Sequence, residues 1–290
     1  MAADAAAPAL SPFAVDLLGG WCAGTASVAA TQPLDTALTR VQATSAKQGT
    51  TMAAASRMAF ARAPWAGSVP MVALVPFQNA LLYAGYGAGS RAITAEDNSE
   101  AALAIFVGGC GGGVLQSLAA SPAELIKVRL QVNAPAVAAS AAGPAAAALA
   151  PVQVALRSPF QGLGATVIRD GIPHGVWFLT YDVAKRQLKK LGAPDDFAAC
   201  FGGGIAAAVA WIVGYPADVI KTRVQLSRPE GQPPLSVMGA ARDLLEESGG
   251  NIAKAYYRGL GLKLARAVPA SFVGFGVYEY VCARLNHTRD

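Results

Sequence analysis

The chain has 290 residues, 53% of them apolar and only 14% charged, with a formal net charge of +5. Ordinary soluble domains are about 25% charged, so this composition argues against a water-soluble fold. With 31 glycines and 18 prolines beside long uncharged runs, it suits a helical membrane protein that crosses the bilayer several times.

The basic residues form neither tail nor stripe, so no nucleic acid is expected as a partner. Cys22, Cys110, Cys200 and Cys282 make no C-x-x-C pair, and the only histidines are His174 and His287. The cysteines therefore read as small buried hydrophobes, and neither a metal site nor a cofactor is expected.

In chain order, Met1 to Pro12 carries Asp4 and no basic residue, unlike an Arg-rich transit peptide or a secretory signal. Four windows then run uncharged for spanning length: Leu17–Leu34, Ala63–Ser90, Ala101–Ala123 and Phe197–Ala217. A helix crossing the hydrocarbon needs about 20 mostly apolar residues. Leu130–Leu156 is also uncharged, but Pro135, Pro144 and Pro151 predict a low-complexity loop ending in a short helix near Val152–Arg157. Two further apolar stretches hold charges: Arg169 and Asp170 in Gln161–Tyr181, and Lys263 and Arg266 in Gly259–Tyr278. Together these predict an all-α membrane protein with six transmembrane helices.

Three segments align without gaps: QPLDTALTRVQ (Gln32–Gln42), SPAELIKVRLQ (Ser121–Gln131) and YPADVIKTRVQ (Tyr215–Gln225). Their prolines, Pro33, Pro122 and Pro216, lie 89 and 94 residues apart. The period predicts three repeats, over 12–100, 101–192 and 196–286. Upstream of each proline stand Gly20 and Gly24, Gly109 and Gly113, or Gly203 and Ala207. Such small-x-x-x-small faces let neighbouring backbones approach. Each proline removes a backbone hydrogen bond and crowds the preceding turn, so kinks are predicted at Pro33, Pro122 and Pro216.

These residues resemble the signature of the mitochondrial carrier family, P-x-[DE]-x-x-[KR]-x-[KR], which recurs about every hundred residues. It reads here as Pro33-x-Asp35 with Arg40, Pro122-x-Glu124 with Lys127 and Arg129, and Pro216-x-Asp218 with Lys221 and Arg223. The family's later aromatic-[KR]-Gly element is clear as Tyr257-Arg258-Gly259 and degenerate as Trp65-Ala66-Gly67 and Phe160-Gln161-Gly162. The resemblance covers roughly residues 12–285. It implies three pseudo-threefold repeats with short matrix helices around a central cavity. It further implies transport by alternating access across the mitochondrial inner membrane, with both termini facing the intermembrane space. The implied partners are a small-molecule substrate and membrane lipid, cardiolipin above all, and the implied state is a monomer. The residues leave a peroxisomal or plastid membrane open.

The resemblance also assigns roles. A matrix gate would pair Asp35 with Lys127 and Glu124 with Lys221, while Asp218 meets Leu38 where the family has a base. Leu38→Lys is therefore expected to supply a third bridge. A cytoplasmic gate would use Asp182, Lys185 and Glu279, but Cys282, Gly89 and Tyr86 stand at the partner positions. That ring is expected to be weak, so the cytoplasm-open state should be favoured without substrate.

Charges inside a span are expensive and are functional candidates by default. Arg169, Asp170, Lys263 and Arg266 sum to +2, which favours a carboxylate, while Asp170 offers one site for a cation. Adjacent residues on a helix face each other poorly, so Arg169 and Asp170 are not expected to pair. The family's contact points fall on Ala73, Arg169–Asp170 and Arg266. Phe77 and Leu81 would extend Ala73 into an apolar wall, and Trp177 could cover a cationic nitrogen. An Arg–acid pair at the second point resembles the amino-acid and carnitine/acylcarnitine branch. The substrate expected is a carboxylate-bearing zwitterion: an amino acid, a basic amino acid or a carnitine. The alternative is a carrier scaffold kept as a receptor or structural part, or a carrier of another substrate class. An enzyme is not expected, since no nucleophile–base pair or metal cluster is present.

Overall fold

A computed structural model describes residues 12–43, 65, 68–93, 98–138, 153, 157–225 and 235–287, and all regular structure among them is helical. The long helices are α1 (Pro12–Ala43), α2 (Ser68–Arg91), α3 (Asn98–Ala138), α4 (Leu163–Lys190), α5 (Asp195–Gln225) and α8 (Leu260–His287). Two short ones, α6 (Val237–Glu247) and α7 (Ile252–Tyr256), lie between α5 and α8 in the chain.

Local chemistry sets the boundaries. Pro12 opens α1, where a first helical position needs no N–H donor. Gly162 and Gly259, the last residues of two aromatic-x-Gly triplets, take φ of 81° and 93° directly before α4 and α8. A side chain is strained in that left-handed region, which is why the triplet ends in glycine. Gly192, with φ 83°, closes α4; its N–H donates to the Lys189 carbonyl at 3.0 Å and that of Ala193 to Leu188 at 3.1 Å. Ser236 caps α6 and Asn251 caps α7, each accepting a backbone N–H at 3.0 Å.

The loop expected from Leu130 is instead helical as far as Ala138. The alanines there carry high helix propensity and extend α3 past Pro135. The short helix expected near Val152–Arg157 lies mostly outside the described residues.

Each long helix packs on the next, and α8 closes onto α1, making a ring. Its polarity is inverted relative to a soluble bundle. Val114, Leu115 and Leu118 on α3, and Val209, Ile212 and Val213 on α5, are exposed, while Gln32, Thr36, Gln131, Thr166 and Gln225 are buried. Two helical stretches, Glu100–Gln131 and Cys200–Gln225, are by themselves long and apolar enough to cross a membrane.

At one end of the ring Leu38, Tyr215, Val219, Leu244 and Ala255 form an apolar cluster where α1, α5, α6 and α7 meet. The Tyr215 hydroxyl donates to the Arg258 carbonyl at 2.8 Å there. Several glycines sit closer to a neighbouring helix than a side chain allows, and Gly113 is the tightest of them. A Cβ on Gly113 would stand 2.2 Å from the Asp170 carbonyl oxygen, so α3 meets α4 backbone to backbone.

Candidate functional site

The ring encloses a cavity of about 420 Å³, and a smaller one of about 70 Å³ lies toward the ends of α1, α3 and α5. Both are lined by Asp35, Glu124, Lys127, Arg169 and Lys263, so these side chains form the partition between them. The three signature acids are its nodes. Lys127 Nζ donates to Asp35 at 2.8 Å, and Arg266 Nε lies 2.9 Å from the other oxygen. Glu124 accepts from Arg169 Nη2 at 2.5 Å and is ion-paired with Lys221. Asp218 accepts from Lys263 Nζ at 3.2 Å and from Gln42 Nε2 at 3.1 Å, and Gln42 in turn accepts from the Thr222 hydroxyl.

Several expectations change here. Asp218 does not lack a cation: Lys263, one turn into α8, takes the place that Leu38 cannot fill. Leu38 is buried in the apolar cluster instead. Arg169 does approach its neighbour, with Nε 2.8 Å from Asp170 Oδ1, because the long guanidinium folds back along its own helix. Five cations thus meet four carboxylates, a formal excess of +1 where +2 is expected from the charges inside the even helices alone. The difference comes from the signature acids and bases, which reach the same partition from the odd helices.

Helix α2 presents another face than expected. Ala73 and Phe77 are exposed, and the cavity is lined from this helix by Met71, Gln78, Leu82 and Tyr83. The contact point that the resemblance puts on Ala73 misses this face, since each residue turns a helix by about 100°. Gln78 and Gln116 also line the cavity, as does His174, and sequence reasoning singles out none of the three. The available signal is a polar residue inside an apolar run.

At the other end of α4, Trp177 lines the cavity and stacks on Tyr181 with ring centroids 5.3 Å apart. Phe178 stacks on Tyr86 at 4.4 Å. Asp182 pairs with Arg186 on its own helix, 2.9 Å from Nε. Lys185 Nζ lies 5.5 Å from the centre of the Tyr181 ring. The Glu279 and Cys282 side chains lie outside the described residues. Among the described residues no cluster of side chains could hold a metal ion.

Some polar atoms in the cavity wall have no hydrogen-bond partner: Asp170 Oδ2, Arg169 Nε and Arg266 Nε, with Gln78 Nε2 and Gln116 Oε1. The two arginine nitrogens are close to carboxylates but do not aim an N–H at them, so those contacts are charge attraction alone. A buried polar group left unpaired costs about 1–3 kcal/mol. These atoms are buried, beside the cavity that Arg169, Asp170 and Arg266 line.

The family model for the mitochondrial carrier protein matches residues 10–96, 98–192 and 195–289, nearly the whole chain in three copies. The chain belongs to the mitochondrial carrier family. Mitochondrial carriers are transporters, not enzymes, and this one is a multi-pass protein of the inner mitochondrial membrane. It is similar to the mitochondrial arginine transporter BAC2 of Arabidopsis thaliana, at 30% identity over 91% of this chain and 89% of that protein. It is also similar to the mitochondrial basic amino acids transporter of Bos taurus, at 30% identity over 93% and 91% of the two chains. Solute carrier family 25 member 45 of Mus musculus matches at 30% identity over 92% of this chain and 97% of its own.

Proposed function

We propose that this carrier moves a basic amino acid across the inner membrane by alternating access. α1 to α5 and α8 serve as its six spans, and the ends of α1, α3 and α5 with the short helices lie toward the matrix. The unpaired set of Asp170 Oδ2, Arg169 Nε and Arg266 Nε carries the reading. A substrate carboxylate would satisfy the two arginines, and its cationic nitrogen would satisfy Asp170. Relatives whose names specify arginine and basic amino acids support that choice over a carnitine.

The arginines that would hold the carboxylate also neutralise Asp35 and Glu124. Substrate and matrix gate would then compete for the same cations. Binding would loosen the closure formed by Asp35–Lys127, Glu124–Lys221 and Asp218–Lys263. A ligand moves a conformational equilibrium only by its differential affinity for the two states, and this competition supplies the difference. Pro33, Pro122 and Pro216 would give the odd helices their bends at that level, and cardiolipin would surround a monomer.

The test is thermal stabilisation of the purified carrier by arginine, lysine, ornithine, carnitine, keto acids and nucleotides, followed by uptake into liposomes. A ligand that binds only the folded protein raises its stability. Arg266→Ala should lose uptake by about a hundredfold or more while still folding. Asp170→Asn should weaken cationic zwitterions more than simple carboxylates. Stabilisation by nucleotides or keto acids alone would reject the reading.

A further inference from the structure

We infer that His174 is a specificity-determining residue: its Nε2 accepts a hydrogen bond from the cationic nitrogen of the substrate, so the site selects cations that carry N–H groups over quaternary ammonium. The inference rests on the basic-amino-acid reading and deepens it. His174 lies one turn beyond Asp170 on α4, and both line the 420 Å³ cavity. Its Nδ1 is 2.6 Å from the Asp170 carbonyl oxygen. A carbonyl only accepts, so in the neutral ring the proton sits on Nδ1 and Nε2 keeps a lone pair. Among the described residues no donor meets Nε2.

The same turn therefore offers two acceptors, Asp170 Oδ2 and His174 Nε2. A primary ammonium or a guanidinium has several N–H groups and can serve both. A trimethylammonium has the charge for Asp170 and no proton for His174. It would bury Nε2 unpaired, the kind of mismatch a polar site rejects most strongly.

The measurement uses the full-length carrier in liposomes at pH 7.5, with uptake of labelled L-lysine competed by unlabelled L-lysine and by Nε-trimethyl-L-lysine. Wild type should prefer lysine by about tenfold or more. In His174→Ala that preference should fall about tenfold, while His174→Gln, whose amide oxygen accepts, should keep part of it. Should His174→Ala not fold, His174→Phe keeps a ring without an acceptor and is read the same way. An unchanged ratio in the acceptor-less variant, or no preference in wild type, overturns the inference alone. Absence of lysine, arginine and ornithine uptake in wild type overturns the functional reading and the inference with it.

Discussion

The two ends of the helix ring hold charges in opposite ways. At one end, proposed above to face the matrix, Asp35, Glu124 and Asp218 each bind cations from other helices: α1 to α3 and α8, α3 to α4 and α5, α5 to α8. At the other end Asp182 pairs with Arg186 on the same helix, and among the described residues the contacts between helices are the stacking of Tyr86 on Phe178 and one exposed ion pair, Lys189 with Asp195, across the short turn from α4 to α5. An ion pair within one helix steadies that helix and ties it to nothing. Pairs between helices must break before the helices part. Among the described residues, the buried ion pairs between helices therefore gather at the end that holds Asp35, Glu124 and Asp218.

Four changes would break or sharpen that contrast. Lys263→Ala removes the cation of a buried pair, which costs about 3–5 kcal/mol. Thermal unfolding in detergent should show its melting temperature falling furthest of the set. A drop no larger than for a surface change would remove Lys263 from the closure.

Next comes the balance of states. Asp35–Lys127, Glu124–Lys221 and the Gln42–Asp218 hydrogen bond join the odd helices. At about 1 kcal/mol each they bias the empty carrier about a hundredfold toward the cytoplasm-open state. Single cysteines along the cavity wall should label from the cytoplasmic side. Asp35→Lys with Glu124→Lys should move labelling to the matrix side, and equal labelling in the parent would deny the contrast.

Leu38→Lys tests the register of the third junction. Because Leu38 packs against Tyr215 and Val219 while Asp218 already has Lys263, the added amine should lower stability by about 1–3 kcal/mol. A higher melting temperature would instead mean that the introduced amine had displaced Lys263 from the acid. Arg186→Ala should do least, within about 0.5 kcal/mol, since the Arg186 side chain is 58% exposed and its partner is four residues away.

The sequence made the odd helices easy to read and the even ones hard. Three copies of one motif fix equivalent positions, so the pairing that the family resemblance implies, Asp35 with Lys127 and Glu124 with Lys221, falls on residues that do meet. The even helices have no such ruler. The contact point carried over from the family turns α2 to the wrong face, choosing Ala73 over Gln78. The partners of Asp218 and Arg169 were hidden for another reason. Lys263 reaches the acid from a helix 45 residues away, and Arg169 spans two carboxylates at once. Long flexible cations choose among acids by three-dimensional proximity, which spacing along the chain does not encode.

The uneven packing around the ring has a mechanical consequence. From α2 through α5 each helix is closely packed on the next, with α3 and α4 touching backbone to backbone at Gly113, and α8 is packed as closely on α1. Among the described residues the α1–α2 and α5–α8 seams are thinner. Deformation concentrates where a ring is least stiff, so a four-helix block and a two-helix jaw are the parts expected to move as units. Glu124–Lys221 lies wholly within the block and Asp35–Arg266 wholly within the jaw. Asp35–Lys127, Asp218–Lys263 and Gln42–Asp218 cross from one to the other. Those contacts, with the hydrogen bonds of Gln131 to Thr36, Thr222 to Gln42 and Trp21 to the Val72 carbonyl, are the latches of the jaw, and a covalent cross-link between α1 and α2 would jam it where one between α3 and α4 would pass unnoticed.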